Sequence, residues 1–248
     1  MKNLVFILIS LALGSLSGFC QGTIDRPVER KTQVYVKKDN SRAYKKDTKV
    51  TKTDSPSNKT ADQLVQEADS LFDNKYYSAA LSLYKEVVDT GLTDYAHKIG
   101  YMYRDGIGTM QNFPEAVKWF KLAAEYGNPG AQTDLGRMYE TGRGTKQDYV
   151  EAFYWYRKAA EQNEKYAQHN LGVFYQRGIG VAQDYSEAVK WYTKSANQGL
   201  AISQGNLGLM YYYGNGVPVD KQKAKDLLEK AAAQGLETAK DNLKKLSF

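Results

Sequence analysis

Between residues 95 and 238 the apolar and small positions return with a period of 36 residues. In one such unit, 131–166, Leu135, Gly136 and Tyr139 fall at i, i+1 and i+4. That face predicts a first helix over roughly 132–141. Ala152, Trp155, Tyr156, Ala159 and Ala160 then fall at i, i+3, i+4, i+7 and i+8, the stripe of a second amphipathic helix. Between the two, Gly142 stands where a helix end takes a left-handed residue, and Gly144 lets the linker turn without steric strain. Asp148 with Glu151 three residues on is a capping-box pattern for the second helix. Asn112 with Glu115, and Asp184 with Glu187, repeat it, with Pro114 in a first turn, where proline is tolerated. In the last unit Asp220 is followed by Lys223, so the box is incomplete there.

The columns are regular. Glycine recurs at 100, 136, 172 and 208, at 106, 142, 178 and 214, and at 108, 144, 180 and 216, which accounts for twelve of the 21 glycines. Alanine recurs at 116, 152, 188 and 224. Trp119, Trp155 and Trp191 share a column that ends in Leu227. Self-similarity at this period is the signature of stacked supersecondary units, and one helix pair cannot bury both of its faces without neighbours. The expected fold is therefore all-α, a right-handed α-α superhelix, or solenoid, of tandem 36-residue helix pairs. The tryptophan column lies on the apolar stripe and is read as core. A glycine without a side chain at 136 and its equivalents lets a bulky ring approach from a facing helix.

The ends depart from the repeat. Residues 61–94 keep helix-pair spacing through Ala68, Leu71, Tyr77, Ala80 and Tyr84 but lack the Gly-x-Gly linker, and are closer to a 34-residue tetratricopeptide unit. Residues 239–248 begin one more helix with Leu243 and Leu246. Both are read as caps. Ahead of the array, Lys2, the apolar run Leu4 to Leu13 and the small residues of 14–22 have the layout of a secretory signal peptide. The run is too short for a spanning helix, which needs roughly 17–25 residues. The mature chain is expected to be exported, periplasmic or extracellular, with no transmembrane span. Cys20 is the single cysteine; ordinary cleavage near 20–22 is favoured over lipidation at Cys20, because Phe19 precedes it.

Charge sharpens this division. Segment 23–60 carries eleven Lys and Arg against five Asp and Glu, a net of +6, whereas 61–248 carries 22 against 23. With few large apolar residues, 23–60 is expected to be a basic disordered linker. It is a spacer in one reading and a contact with an anionic envelope surface in another. Nucleic acid is not expected for an exported chain.

The string Asn170-Leu171-Gly172, Tyr175, Gly178-Ile179-Gly180, Asp184, Ala188, Trp191-Tyr192 and Ser195-Ala196 resembles the Sel-one-like repeat, a 36-residue relative of the tetratricopeptide repeat. Four units match, 95–130, 131–166, 167–202 and 203–238. The resemblance implies an adaptor that binds proteins. Cysteine-rich members are associated with penicillin binding and weak β-lactamase activity, so a hydrolase of that kind is the alternative. Those members carry paired cysteines in each repeat, and the repeats here hold none.

Candidate chemistry is sparse. Ser82-Leu83-Tyr84-Lys85 has Ser-x-x-Lys spacing without the companion motifs of penicillin-recognising enzymes, and is read as helix surface. Gly142-Arg143-Gly144-Thr145-Lys146 lacks the phosphate-loop spacing. His97 and His169 lie two repeats apart, roughly 20 Å at ordinary helix packing distances, and cannot share a metal or form a dyad. No catalytic residue, metal or cofactor is expected. A protein or peptide partner is expected on the concave face lined by the first helices. Its residues are His97, Tyr101 and Arg104; Thr133, Arg137 and Glu140; His169, Val173, Gln176 and Arg177; and Leu209, Tyr212 and Tyr213. These columns vary from unit to unit where the core columns do not, and Tyr and Arg are common hot-spot residues.

Overall fold

A computed structural model describes residues 59–248. The expected signal segment with Cys20, and the basic linker apart from Lys59 and Thr60, lie outside the described residues. The described chain is helical and strand-free. An entry pair, α1 (Ala61–Asp73) and α2 (Tyr77–Asp89), precedes four units. The first holds α3 (Tyr95–Asp105) and α4 (Phe113–Glu125), the second α5 (Pro129–Thr141) and α6 (Tyr149–Glu161). The third holds α7 (Lys165–Arg177) and α8 (Tyr185–Asn197), the fourth α9 (Ala201–Tyr213) and α10 (Lys221–Ala233). A last helix, α11 (Glu237–Lys245), closes the array. Each helix packs on the one before and the one after it, as in a solenoid.

Local signals set the helix ends. Thr60 and Gln63 form a reciprocal capping box at α1. Asn112, Asp148, Asp184 and Asp220 each accept the amide three residues on, which starts the second helix of every unit. Gly106, Gly142, Gly178 and Gly214 end the first helices in the left-handed conformation. The first helix of the second unit starts at Pro129, earlier than the apolar pattern places it. Asn128 Oδ1 accepts the Ala131 amide at 2.8 Å and Pro129 fills the first turn, so a polar cap outside the hydrophobic stripe sets that boundary.

The helices of a pair meet at a glycine. A Cβ on Gly100, Gly136 or Gly172 would lie 2.5–2.8 Å from the ring of Phe120, Tyr156 or Tyr192, all fully buried. The ring that enters is thus the residue after the tryptophan column. Trp155 is buried, while Trp119 and Trp191 are half-buried and the Lys194 ammonium sits 4.0 Å over Trp191. Ala123, Ala124, Ala159 and Ala160 let the next helix come close behind.

A polar relay runs between the units. Gln132, Gln168 and Gln204 each donate to the carbonyl eight residues back, at Ala124, Ala160 and Ala196. Each accepts from the glutamine thirty residues on, Gln162, Gln198 and Gln234, at 2.7–2.8 Å. One buried side chain thereby satisfies groups in two successive helix ends. Gln168→Leu is expected to cost about 1–3 kcal/mol, because it strips the buried Ala160 carbonyl of a donor and removes one acceptor of Gln198, which keeps Asn163. A urea-unfolding midpoint equal to that of the parent would refute this.

The entry pair carries a second network. Tyr84 is fully buried and donates to Asp69 at 2.7 Å, and Lys98 Nζ approaches the same carboxylate at 2.8 Å. Burial first, and the bond to Asp69 second, hold the Tyr84 phenol far above its ordinary value of 10.0. The unfolded chain loses this proton near pH 10 and the folded chain keeps it. Its stabilisation is therefore complete below about pH 10 and is lost above it, at about 1.4 kcal/mol per pH unit. Tyr84→Phe should flatten the alkaline decline of stability by about that slope, as read from urea unfolding at stepwise pH.

Candidate functional site

The first helices of the units pack on one another as well as on their partners, and that decides which of their side chains reach solvent. His97 Nε2 meets Asp134 at 2.7 Å, joining α3 to α5. His169 Nδ1 meets the Ser203 hydroxyl at 2.9 Å, joining α7 to α9. Flanked on both sides, much of α5, α7 and α9 is enclosed: Thr133, His169, Val173 and Leu209 are at most 2% exposed, and Gln176 is buried with its Oε1 accepting from Tyr192. These five residues of the expected face are therefore interior packing and do not line an open surface. Their variation follows variation in the neighbouring helix: Thr133 bonds to Glu164 where His169 bonds to Ser203.

Other positions on the first helices behave differently. Tyr101, Arg104, Arg137, Glu140 and Tyr212 are half-buried, and Arg177 and Tyr213 are exposed. His97 is mostly covered. The accessible set thus forms a band along the C-terminal ends of α3, α5, α7 and α9. At its N-terminal end, Arg104 lies over the Tyr101 ring at 4.4 Å. Its Nε and Nη2 bond to Asp105 at 2.7 and 2.8 Å, and its Nη1 is 3.4 Å from Asp134. Burial works against the charge of Arg104, but the bond to Asp105 and the field of Asp134 outweigh it and raise its pKa above the ordinary arginine value. At the other end the Tyr212 hydroxyl accepts the Ser247 amide and donates to the Ser247 carbonyl, and its ring meets Phe248 edge-on at 5.4 Å. The chain's own extended residues 247–248 are thus held by a tyrosine of the band.

Between these ends, at the junction of the first two units, lies a recess of about 150 Å³. Arg104, Asp105, Gln111, Phe113, Arg137 and Arg143 contribute to its wall. Sequence reasoning passed over Arg143 and Asp105. A signal for Arg143 was present: it replaces the isoleucine found at 107 and 179 in the same linker column.

Nucleophile–base pairs are also placed by the structure. The Ser82 hydroxyl turns back to the Ser78 carbonyl and Lys85 Nζ reaches Tyr103, so the two ends of the tetrad serve different neighbours. A serine does stand beside a histidine at Ser203 and His169, with Ser195 next to Ser203 at 2.7 Å. All three are fully buried, so this is a sealed packing network with no path for a substrate. Among the described residues no group of three or more His, Cys, Asp or Glu is placed to hold a metal ion, and no helix is long and apolar enough to cross a membrane.

Stacked helix pairs with a glycine-turned linker define a helical-repeat solenoid. The chain belongs to the Sel1 repeat family, whose profile matches residues 93–128, 129–164, 165–200 and 201–236. Among solved structures it is similar to a Sel1 repeat protein from Oxalobacter formigenes, with 36% identity, 72% of this chain and 73% of that chain covered, and a TM-score of 0.67. It is also similar to c5321, a protective antigen present in uropathogenic Escherichia coli strains displaying an SLR fold, with 35% identity and a TM-score of 0.71. That alignment covers 74% of this chain, which spans 40% of the length of the Escherichia coli protein. No curated protein sequence matches significantly. Members of the Sel1 repeat family commonly serve as protein–protein interaction scaffolds.

Proposed function

We propose that the protein is an exported, non-catalytic scaffold that binds a protein or peptide partner along the C-terminal ends of its first helices. The observation that carries this reading is the band Tyr101, Arg104, Arg137, Glu140, Arg177, Tyr212 and Tyr213, whose chemistry changes from unit to unit on an unchanging frame. Tyr and Arg supply large contact area and directional donors, which is why they dominate interface hot spots. The signal-like residues 1–22 support export, with cleavage near 20–22 and the basic segment 23–60 as a tether to an anionic envelope surface or a spacer from it. N-terminal sequencing of the envelope-associated protein tests the export; a chain that begins at Met1 overturns it.

Site-specific photo-crosslinking tests the surface. A benzophenone side chain at position 177, exposed in the band and outside the recess wall, is expected to trap partner protein in envelope preparations. The same probe at 190, on the second helix α8, should trap none, since Lys190 is 62% exposed but belongs to none of the first helices. Tyr101→Ala or Tyr212→Ala should weaken capture about tenfold each, with helicity unchanged. Equal trapping at 177 and 190 would place the interface elsewhere.

A further inference from the structure

The recess at the junction of the first two units differs from the same place in the rest of the array. Arg104 comes from the end of α3, Arg137 from α5, and Arg143 from the linker that follows α5. One repeat further on, the same positions hold Glu140, Val173 and Ile179; two repeats on, they hold Gln176, Leu209 and Asn215. The frame is common, and the convergence of three guanidinium groups belongs to this junction alone. Facing them in the wall is one carboxylate, Asp105, which is committed to Arg104 through two bonds. Arg143 makes no ion pair among the described residues and rests its guanidinium 5.7 Å from the Phe113 ring. Arg104 also lies 3.4 Å from Asp134, so the guanidinium that brings a charge without a carboxylate of its own is Arg143, and the recess has a fixed arginine on one side and an adaptable one on the other.

Size narrows the occupant. At about 150 Å³ the space is well below the roughly 300–1,000 Å³ of pockets that enclose small-molecule ligands. It suits one side chain reaching in from a segment laid over the surface. Guanidinium groups bind carboxylates through paired, charge-assisted hydrogen bonds, and the Phe113 ring offers an apolar wall to the methylenes behind such a group.

We propose that this recess is an anchor site for the carboxylate of a Glu or Asp side chain in an extended acidic segment of the partner. The proposal rests on the scaffold reading and specifies its chemistry: the band recognises an acidic peptide, registered by this one junction. Arg143 closes over the carboxylate, Arg104 supplies a fixed field, and Arg137 binds from the neighbouring helix.

The test uses the full chain and an array of heptapeptides that differ only at the central residue: Glu, Asp, Gln, Lys or phosphoserine. Glu and Asp peptides should be retained at least about tenfold more strongly than Gln peptides at low salt, the effect of charge-assisted hydrogen bonds, with retention falling as salt rises. Arg143→Gln, which breaks no internal ion pair, should keep the parent's helicity and melting temperature and reduce the preference to about threefold or less. Equal retention of Glu and Gln peptides, retention confined to phosphoserine peptides, no retention of any peptide, or a preference untouched by Arg143→Gln each overturns the assignment. Retention blind to central charge yet lost in Tyr101→Ala leaves the scaffold reading standing. Acid-selective retention without crosslinks at 177 removes the scaffold reading and keeps the site.

Discussion

Gly144→Ala is expected to lower the unfolding free energy by about 3 kcal/mol or more, while Gly142→Ala, two residues away, should cost about 1 kcal/mol. Both glycines are left-handed, with φ of 67° at 142 and 73° at 144, so the conformational cost of a Cβ is nearly shared. The space is not. A Cβ at 142 would meet Gln147 Cβ at 3.2 Å and its backbone N at 3.3 Å, tight contacts that a shift of a few tenths of an ångström relieves. A Cβ at 144 would lie 2.3 Å from the carbonyl carbon of Phe113 and 2.7 Å from Pro114 N, at the start of the preceding unit's second helix. That backbone is fixed by the cap at Asn112, so the junction must open. The difference between the two variants in urea unfolding isolates the close approach of two repeats. Equal losses would mean that the linker, not the junction, carries the requirement.

The second large effect belongs to Gly172→Leu. Its Cβ alone would stand 2.7 Å from two carbons of the Tyr192 ring. The ring has nowhere to retreat: Tyr192 is fully buried and its hydroxyl donates to Gln176 at 2.6 Å. Three further carbons in that space should cost well over about 3 kcal/mol, against a total stability of about 5–15 kcal/mol for an ordinary domain. Because each repeat is held mainly by its neighbours, the loss should not stay local. Hydrogen exchange should show protection lost first across α7 and α8, with the units on either side destabilised by the missing contact. Protection retained throughout 165–197 would show that the pair can separate without unfolding.

The frame was legible because its determinants are local. A glycine where a ring enters, a glycine at a helix end and an Asx residue before the second helix each act within a few residues, and the period multiplies the signal. The start of α5 was misplaced because Asn128 and Pro129 carry no apolar signature, although together they form a strong cap. The band was legible only in part. Tyr101, Arg104, Arg137, Arg177 and Tyr213 could be placed on the correct helices from spacing alone. The enclosure of Thr133, His169, Val173 and Leu209 could not, since it depends on how closely one unit settles on the next. The convergence of Arg104 with Arg143 crosses two units and 39 positions, farther than any periodic pattern within a helix reports.

The glutamine relay has a consequence for how such a chain can grow. At each of the three borders between units, a carbonyl at the end of one unit accepts the amide of the glutamine that begins the next, and that glutamine's oxygen accepts from the glutamine at the end of its own unit. Like tiles with matching edges, units can be duplicated or deleted in whole multiples of 36 residues with this relay intact. A partial insertion breaks the match at both of its borders. The relay thus acts as a length filter on gene duplication, and lets the array gain or lose recognition surface one repeat at a time.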